Sequence, residues 1–304
     1  MKKIFITGAN GFLGRHLVKK LGSKYDLITP TRSEVNIEKL NDLQGAIAFD
    51  QPDVVIHLAA ICGGIGANKK SPADFFMRNS LMSLNILSTC NFFKVKKLIT
   101  LGSVCSYPKF TPVPFKEDNI WDGYPEETNA PYGIAKKNLL VGCQAYNNQY
   151  GDNFIHLIPV NMYGEYDNFD PESSHVIPAL LRKFLKAKKN NDPFVEVWGD
   201  GSASREFLYA GDCAEAITLA LENYDSSEPV NIGTGSEITI KELVEKISLV
   251  VDYKGDIKYD TSKPNGQPRR CLDTTRAEKQ FNFRAKTSLD EGLEKTYKWY
   301  LQNG

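Results

Sequence analysis

The sequence predicts an α/β fold: a Rossmann-type doubly wound parallel sheet with a smaller, discontinuous C-terminal substrate-binding domain. Three observations predict it. Short apolar runs alternate with helix-length stretches over residues 1–160, the pattern of a parallel sheet with helices on both faces. The first run leads directly into Gly8-Ala9-Asn10-Gly11-Phe12-Leu13-Gly14, a glycine-rich turn between a strand and a helix. Beyond Pro159 the alternation loosens into polar, aromatic, turn-rich sequence, N-M-Y-G-E-Y-D-N-F-D-P-E-S-S-H, of the kind that lines a site.

In chain order, Lys3 to Thr7, Leu27 to Thr29, Val54 to Leu58, Leu98 to Leu101 and Phe154 to Leu157 read as strands. Runs such as Val54-Val55-Ile56 suit strands buried on both faces. Helices are expected at Phe12 to Leu21, Asp74 to Phe93 and Tyr132 to Tyr150. The last two carry apolar residues on more than one side, including Leu81, Leu84, Leu139 and Tyr146. Either a homodimer formed through a helix bundle or surplus core contacts would account for them. Asp212 to Glu222 reads as a helix, Pro229 to Ile232 as a strand rejoining the sheet, and Ile240 to Val251 and Leu289 to Leu301 as closing helices. The expected division is a cofactor-binding domain of residues 1–160 plus about 205–235, and a substrate domain of 161–204 and 236–304.

Composition narrows the partners. The 304 residues balance 37 Lys and Arg against 37 Asp and Glu, so no global field recruits nucleic acid or an anionic membrane. No run approaches the roughly 20 apolar residues that cross a bilayer, and the glycines after Ile6 break any signal-peptide pattern. A cytoplasmic location is expected. The six cysteines have no paired metal-ligand spacing and read mostly as small buried hydrophobes, so no metal is expected. The lysines at 94, 96 and 97 and at 186, 188 and 189 read as solvated helix ends.

The turn of Gly8, Asn10, Gly11, Phe12, Leu13 and Gly14 suits a pyrophosphate held at a helix N-terminus. Its glycine spacing is that of the extended branch of the short-chain dehydrogenase/reductase superfamily. After the second strand stands I-T-P-T-R-S, with no acid for a ribose diol. Arg32 instead suits a 2′-phosphate, which favours NADP(H) over NAD(H). Downstream, Tyr132 and Lys136 lie one helical turn apart, with Ser103 just past a buried strand. That is a carbonyl-reduction set. Lowering the phenol from about 10 toward 7 would take roughly 4 kcal/mol, which a close cation in a partly dry pocket could supply.

The blocks L-G-S-V-C-S-Y-P-K, G-G-I-G-A-N, S-S-H-V-I-P-A-L-L-R-K-F, V-W-G-D-G-S-A-S-R-E-F and S-K-P-N-G-Q-P-R-R resemble the GDP-L-fucose synthase family from first strand to last helix. The resemblance implies a homodimer, NADPH, and a GDP-sugar substrate that is epimerised at C3 and C5 and reduced at C4. It implies Cys105 as base and His175 as acid beside Ser103, Tyr132 and Lys136. It extends cofactor contacts to Leu58, Ala59, Leu101, Gly102, Pro159, Asn161, Met162, Lys136 and His175. Substrate contacts fall on Lys183, Trp198, Arg205 and Asn265, with Lys263 and Arg270 as further candidates. Asn10 and Lys183 stand where some members carry arginine, and Asn265 replaces a frequent aspartate. Three alternatives stay open: a related GDP-deoxyhexose or GDP-heptose C4 reductase with or without epimerisation, a sugar-nucleotide 4-epimerase retaining NAD, and a non-catalytic NADP-sensing module.

Overall fold

The computed structural model describes residues 1–171, 173–263 and 267–304. Its elements, in order, are β1 (Lys3–Thr7), α1 (Phe12–Leu21), β2 (Asp26–Ile28), α2 (Leu40–Asp50), β3 (Val54–His57), α3 (Ile65–Lys70), α4 (Pro72–Phe92), β4 (Lys97–Leu101), α5 (Ala130–Tyr150) and β5 (Phe154–Pro159). There follow β6 (Asn161–Tyr163), α6 (Val176–Asn190), β7 (Phe194–Trp198), β8 (Ser204–Arg205), β9 (Phe207–Tyr209), α7 (Ala210–Asn223), β10 (Val230–Ile232), β11 (Ile238–Thr239), α8 (Ile240–Val251), β12 (Asp256–Asp260), α9 (Thr275–Phe281) and α10 (Leu289–Asn303).

Six strands form one parallel sheet in the order β10-β5-β4-β3-β1-β2. The chain leaves β1 toward β2 and then crosses to β3, so a topological switch point falls beside β1, where open α/β sheets bind ligands. One face is covered by α1 and α7, whose Leu13, Leu17, Ile217 and Leu221 share a core with Ile4, Ile6 and Ile99. The other face is covered by α2, α4 and α5, through Leu43, Ile86, Leu87 and Leu139 against Phe5, Val55 and Leu98. The close approach of α4 to α5 depends on Gly142, where a Cβ would collide with the Leu87 side chain.

A separate core joins α6, α8 and α10 to the parallel pair β7 and β12, centred on Phe184, Val195, Val197, Leu243, Ile247 and Leu293. Among the described residues, no helix is long and apolar enough to cross a membrane.

Two of the lysines expected to be solvated also cap helices, and one of the two, Lys97, is buried rather than solvated. Lys97 is buried at the start of β4, and its Nζ donates to the carbonyls of Ala220, Leu221 and Tyr224 at 3.0, 3.0 and 2.6 Å and to Asp225 at 2.8 Å. It closes the C-terminal end of α7, where helix carbonyls lack intrahelical partners. Lys188 does the same for α8 through the Val251 carbonyl at 2.8 Å. Lys94 and Lys96 are exposed, as expected.

Candidate active site

The cofactor candidates gather along the carboxyl edge of the sheet. Gly8 opens the β1–α1 turn at φ +74°, with a Cβ-sized space closed off 2.8 Å away by the Ala59 amide after β3. Gly14 packs directly against the Gly8 carbonyl, so that any side chain there would collide with it. The first turn of α1 carries no acidic residue, and its N-cap Gly11 offers no side chain, so the helix end stays positive and open to an anion. These features fit a bound dinucleotide. Phe12 and Leu13 start α1 after β1, Leu58 and Ala59 follow β3, and Leu101 and Gly102 stand at the end of β4, while Pro159, Asn161 and Met162 lie on β5 and β6. Asn10 contributes its carbonyl, which accepts from Arg15 Nε at 3.1 Å. Arg32 is exposed beyond β2 and pairs with Glu38 at 2.9 Å, a carboxylate that Arg78 also clamps.

The reduction set assembles from β4 and α5. Ser103 lies just past β4, and its Oγ accepts from the Cys105 amide at 3.2 Å, pinning the turn that carries both residues. The Tyr132 hydroxyl lies close enough to Ser103 for the serine to favour its ionised form slightly, and the ring meets Phe75 edge-on at 6.3 Å. Lys136 Nζ donates to the Leu101 carbonyl at 2.9 Å and stands 5.8 Å from the Tyr132 ring centroid.

The electrostatics correct the expected phenolate. Burial, followed by Cys62 and Cys105, pushes the Tyr132 phenol well above its ordinary value, and burial pushes the Lys136 ammonium down to about 8. The desolvation of both groups outweighs the cation one turn away. The consequence favours reduction, because a carbonyl that accepts a hydride needs a phenol that still holds its proton.

Cys105 is half-buried, and Arg270 Nη1 donates toward its Sγ at 3.8 Å. His175 is the N-cap residue of α6, and burial by its surroundings lowers its imidazole. The residues before it are seated on the G-G-I-G-A-N block: the Gly64 amide donates to the Ser173 carbonyl at 3.0 Å, and a Cβ on Gly64 would meet the Ser174 carbonyl at 2.8 Å.

The substrate candidates form two groups. Lys183 Nζ donates to the Glu196 carbonyl at 2.7 Å on β7, where Trp198 presents an exposed ring with Lys263 Nζ 5.8 Å from its centroid. Arg205 is pushed down to about 10 by burial and by its neighbour Arg270, the residue that reaches Cys105. Asn265 lies outside the described residues.

Four groups escaped the sequence reading. Cys62, one of six cysteines read mostly as buried hydrophobes, is exposed and lies close enough to Tyr132, Lys136 and Asp167 to interact electrostatically with each. Its place in the G-G-I-G-A-N block was the available signal. Asp167 is buried, its Oδ2 has no hydrogen-bond partner, and burial pushes it up to about 7. His57 and His156 are buried against Thr7 and Thr100, each at 2.8 Å, and are held neutral by burial at about 3. They flank β4, so Lys136 is the charged group there.

The NAD dependent epimerase/dehydratase family matches residues 4–233. GDP-L-fucose synthase 1 of Arabidopsis thaliana is 42% identical, across 99% of this chain and 94% of its own length. The chain belongs to the GDP-L-fucose synthase family. Among solved structures, a GDP-6-OMe-4-keto-L-xylo-heptose reductase from C. jejuni superposes with a TM-score of 0.94 at 28% identity, covering 100% of this chain and 98% of that one. A GDP-L-fucose synthetase from Naegleria fowleri bound to NADP gives 0.91 at 28% identity, covering 99% and 94%.

Proposed function

We propose that the protein converts GDP-4-keto-6-deoxy-D-mannose to GDP-L-fucose by epimerisation at C3 and C5 followed by NADPH-dependent reduction at C4. The observation that supports this is the turn after β4, where Ser103 Oγ pins the amide of Cys105 beside Tyr132, so that a carbonyl-binding hydroxyl and a candidate base share one turn, while His175 follows a loop seated against Gly64. A simple C4 reductase has no need of that base.

Protons on C3 and C5 flank the C4 ketone, so removing either leaves an enolate that Ser103 and Tyr132 hold by hydrogen bonds to O4. Cys105 removes the proton from one face of the ring and His175 returns one to the other, which inverts the centre. When bound, the nicotinamide supplies a hydride to C4. Tyr132 gives its proton to the developing alkoxide, and Lys136 compensates the charge left on the phenol. Trp198 offers a face for the base, and Arg205 a fork for the diphosphate. Support for the sugar nucleotide and for NADPH comes from the family and from the relative that binds NADP.

The division of labour between residues 1–160 plus about 205–235 and the remainder is part of the same proposal, supported by the separate core around Phe184 and Leu243. So is a homodimer through α4 and α5, supported by the exposed Phe76, Met77, Leu81 and Leu84 on α4 and Val141 on α5.

The test is solvent deuterium. Wild-type enzyme with the keto sugar and no NADPH should exchange C3 and C5 protons, and Cys105→Ser should lose that exchange while still oxidising NADPH. A wild type that reduces the ketone without exchange is a C4 reductase, and the epimerase reading fails.

A further inference from the structure

Arg270 is one of the few buried cations in the structure, with 9% of its surface exposed. Its orientation is fixed from behind: Gln267 Oε1 accepts from both Nε and Nη2, at 3.2 and 2.9 Å, and Gln267 is itself tied through Nε2 to the Lys109 carbonyl at 2.8 Å. Among the described residues no carboxylate lies within ion-pair distance of this guanidinium, whereas its neighbour Arg269 pairs with Glu237. Arg205 lies close enough to be repelled by it. The remaining nitrogen, Nη1, faces the sulfur of Cys105 at 3.8 Å. An unpaired buried charge is costly, and a fold keeps one only where something anionic meets it.

We infer that Arg270 is a positioning residue for epimerisation: its guanidinium is the counter-charge of the Cys105 thiolate and aims the sulfur at the ring carbon. The inference deepens the proposed function and rests on the role given there to Cys105. Ser103 sets the position of the cysteine backbone and Arg270 the state of its sulfur. A neutral amide, Gln267, holds the guanidinium in place of an acid, which leaves the positive charge undiminished for the thiol. A carboxylate at 267 would cancel it.

The thiol itself gives the readout. In the intact enzyme, initial rates of iodoacetamide alkylation at fixed neutral pH are followed at Cys105 and at Cys62 by peptide mass mapping. Cys62 is exposed, and no hydrogen bond or ion pair to Arg270 is recorded for it, so it serves as an internal reference for folding. Arg270→Met should slow alkylation of Cys105 about tenfold or more, the usual strength of one charge-assisted hydrogen bond, and leave Cys62 within about twofold. Arg270→Lys should recover much of the rate. Gln267→Glu, which truncates nothing at Arg270, should slow Cys105 as well. Deuterium exchange into the keto sugar should fall in the same order across the variants. Unchanged Cys105 alkylation in Arg270→Met and Gln267→Glu, with only a raised KM, would overturn the inference and leave Arg270 as a substrate contact. Arg270-dependent alkylation in an enzyme that exchanges no sugar proton would sustain the thiol pairing but sink the epimerase function, so the two failures are distinct.

Discussion

Lys136 Nζ stands 5.8 Å from the Tyr132 ring centroid and is bound to the Leu101 carbonyl at 2.9 Å, so the cation is tethered to the end of β4 rather than to the phenol. Burial lowers the lysine to about 8 and raises the tyrosine. Below pH 8 the site therefore holds an ammonium and a protonated phenol together. The kcat/KM for ketone reduction is expected to fall as pH rises through about 8, where Lys136 loses its charge. Tyr132→Phe should lower reduction by about 10²–10⁴-fold, the usual contribution of a general acid. A pH–rate profile of NADPH oxidation checks both. A profile flat to pH 10 would contradict the assignment of Lys136.

Asp167 gives a stability prediction. Its folded value, about 7, lies above the ordinary carboxyl value of 3.8, so the folded chain holds this proton more tightly than the unfolded chain. Stability is therefore lost as pH rises from about 4 to 7, and the full cost is present above 7. Asp167→Asn keeps the acceptor for the Asn168 amide, a bond of 2.7 Å, and removes the charge. It should stabilise the fold by up to about 4 kcal/mol at pH 8 and by little at pH 4. Urea denaturation at the two pH values measures the difference.

Lys97→Met tests the cap on α7. The substitution retains an apolar stem and removes the ammonium from three carbonyls and from Asp225, of which Asp225 keeps Asn153 and the Ala220 carbonyl keeps the Tyr224 amide. A loss of about 2–4 kcal/mol is expected in chemical denaturation. Because Lys97 starts β4 and the catalytic groups follow its far end, kcat of the folded fraction should be unchanged.

The exposed apolar residues of α4 and α5 have a hydrodynamic test. Light scattering should give twice the chain mass of 34.0 kDa for the wild type and the single mass for Leu84→Glu. A wild type that runs as a monomer at micromolar concentration would contradict the helix-bundle dimer.

Much of the fold is legible in the sequence. The strand Lys3–Thr7 and the helices Phe12–Leu21 and Ile240–Val251 match the sequence pattern to the residue, since each has a local periodicity and a local end signal. The grouping of Ser103, Tyr132 and Lys136, proposed here as the reduction set, was legible for the same reason, as spacing within one helix and one strand end. Lys97 was not, because its partner Tyr224 lies 127 positions away, and a lysine beside other lysines reads as solvent-facing. The parallel pairing of β7 with β12 likewise joins segments that no short window contains. Cys62 and Asp167 were missed because exposure of a thiol and burial of a carboxyl are set by loops that meet only in the folded chain. The shift of Tyr132 was misjudged in sign, because helical spacing gives the distance to a cation but not the loss of water around both groups.

The proposed reaction inverts two carbons and then reduces a third. The most direct measurement is NMR of the product formed from GDP-4-keto-6-deoxy-D-mannose and NADPH in D2O. The expected product is GDP-L-fucose carrying deuterium at C3 and C5 and protium from the cofactor at C4. A reduced sugar that retains the substrate configuration and protium at C3 and C5 would contradict the account.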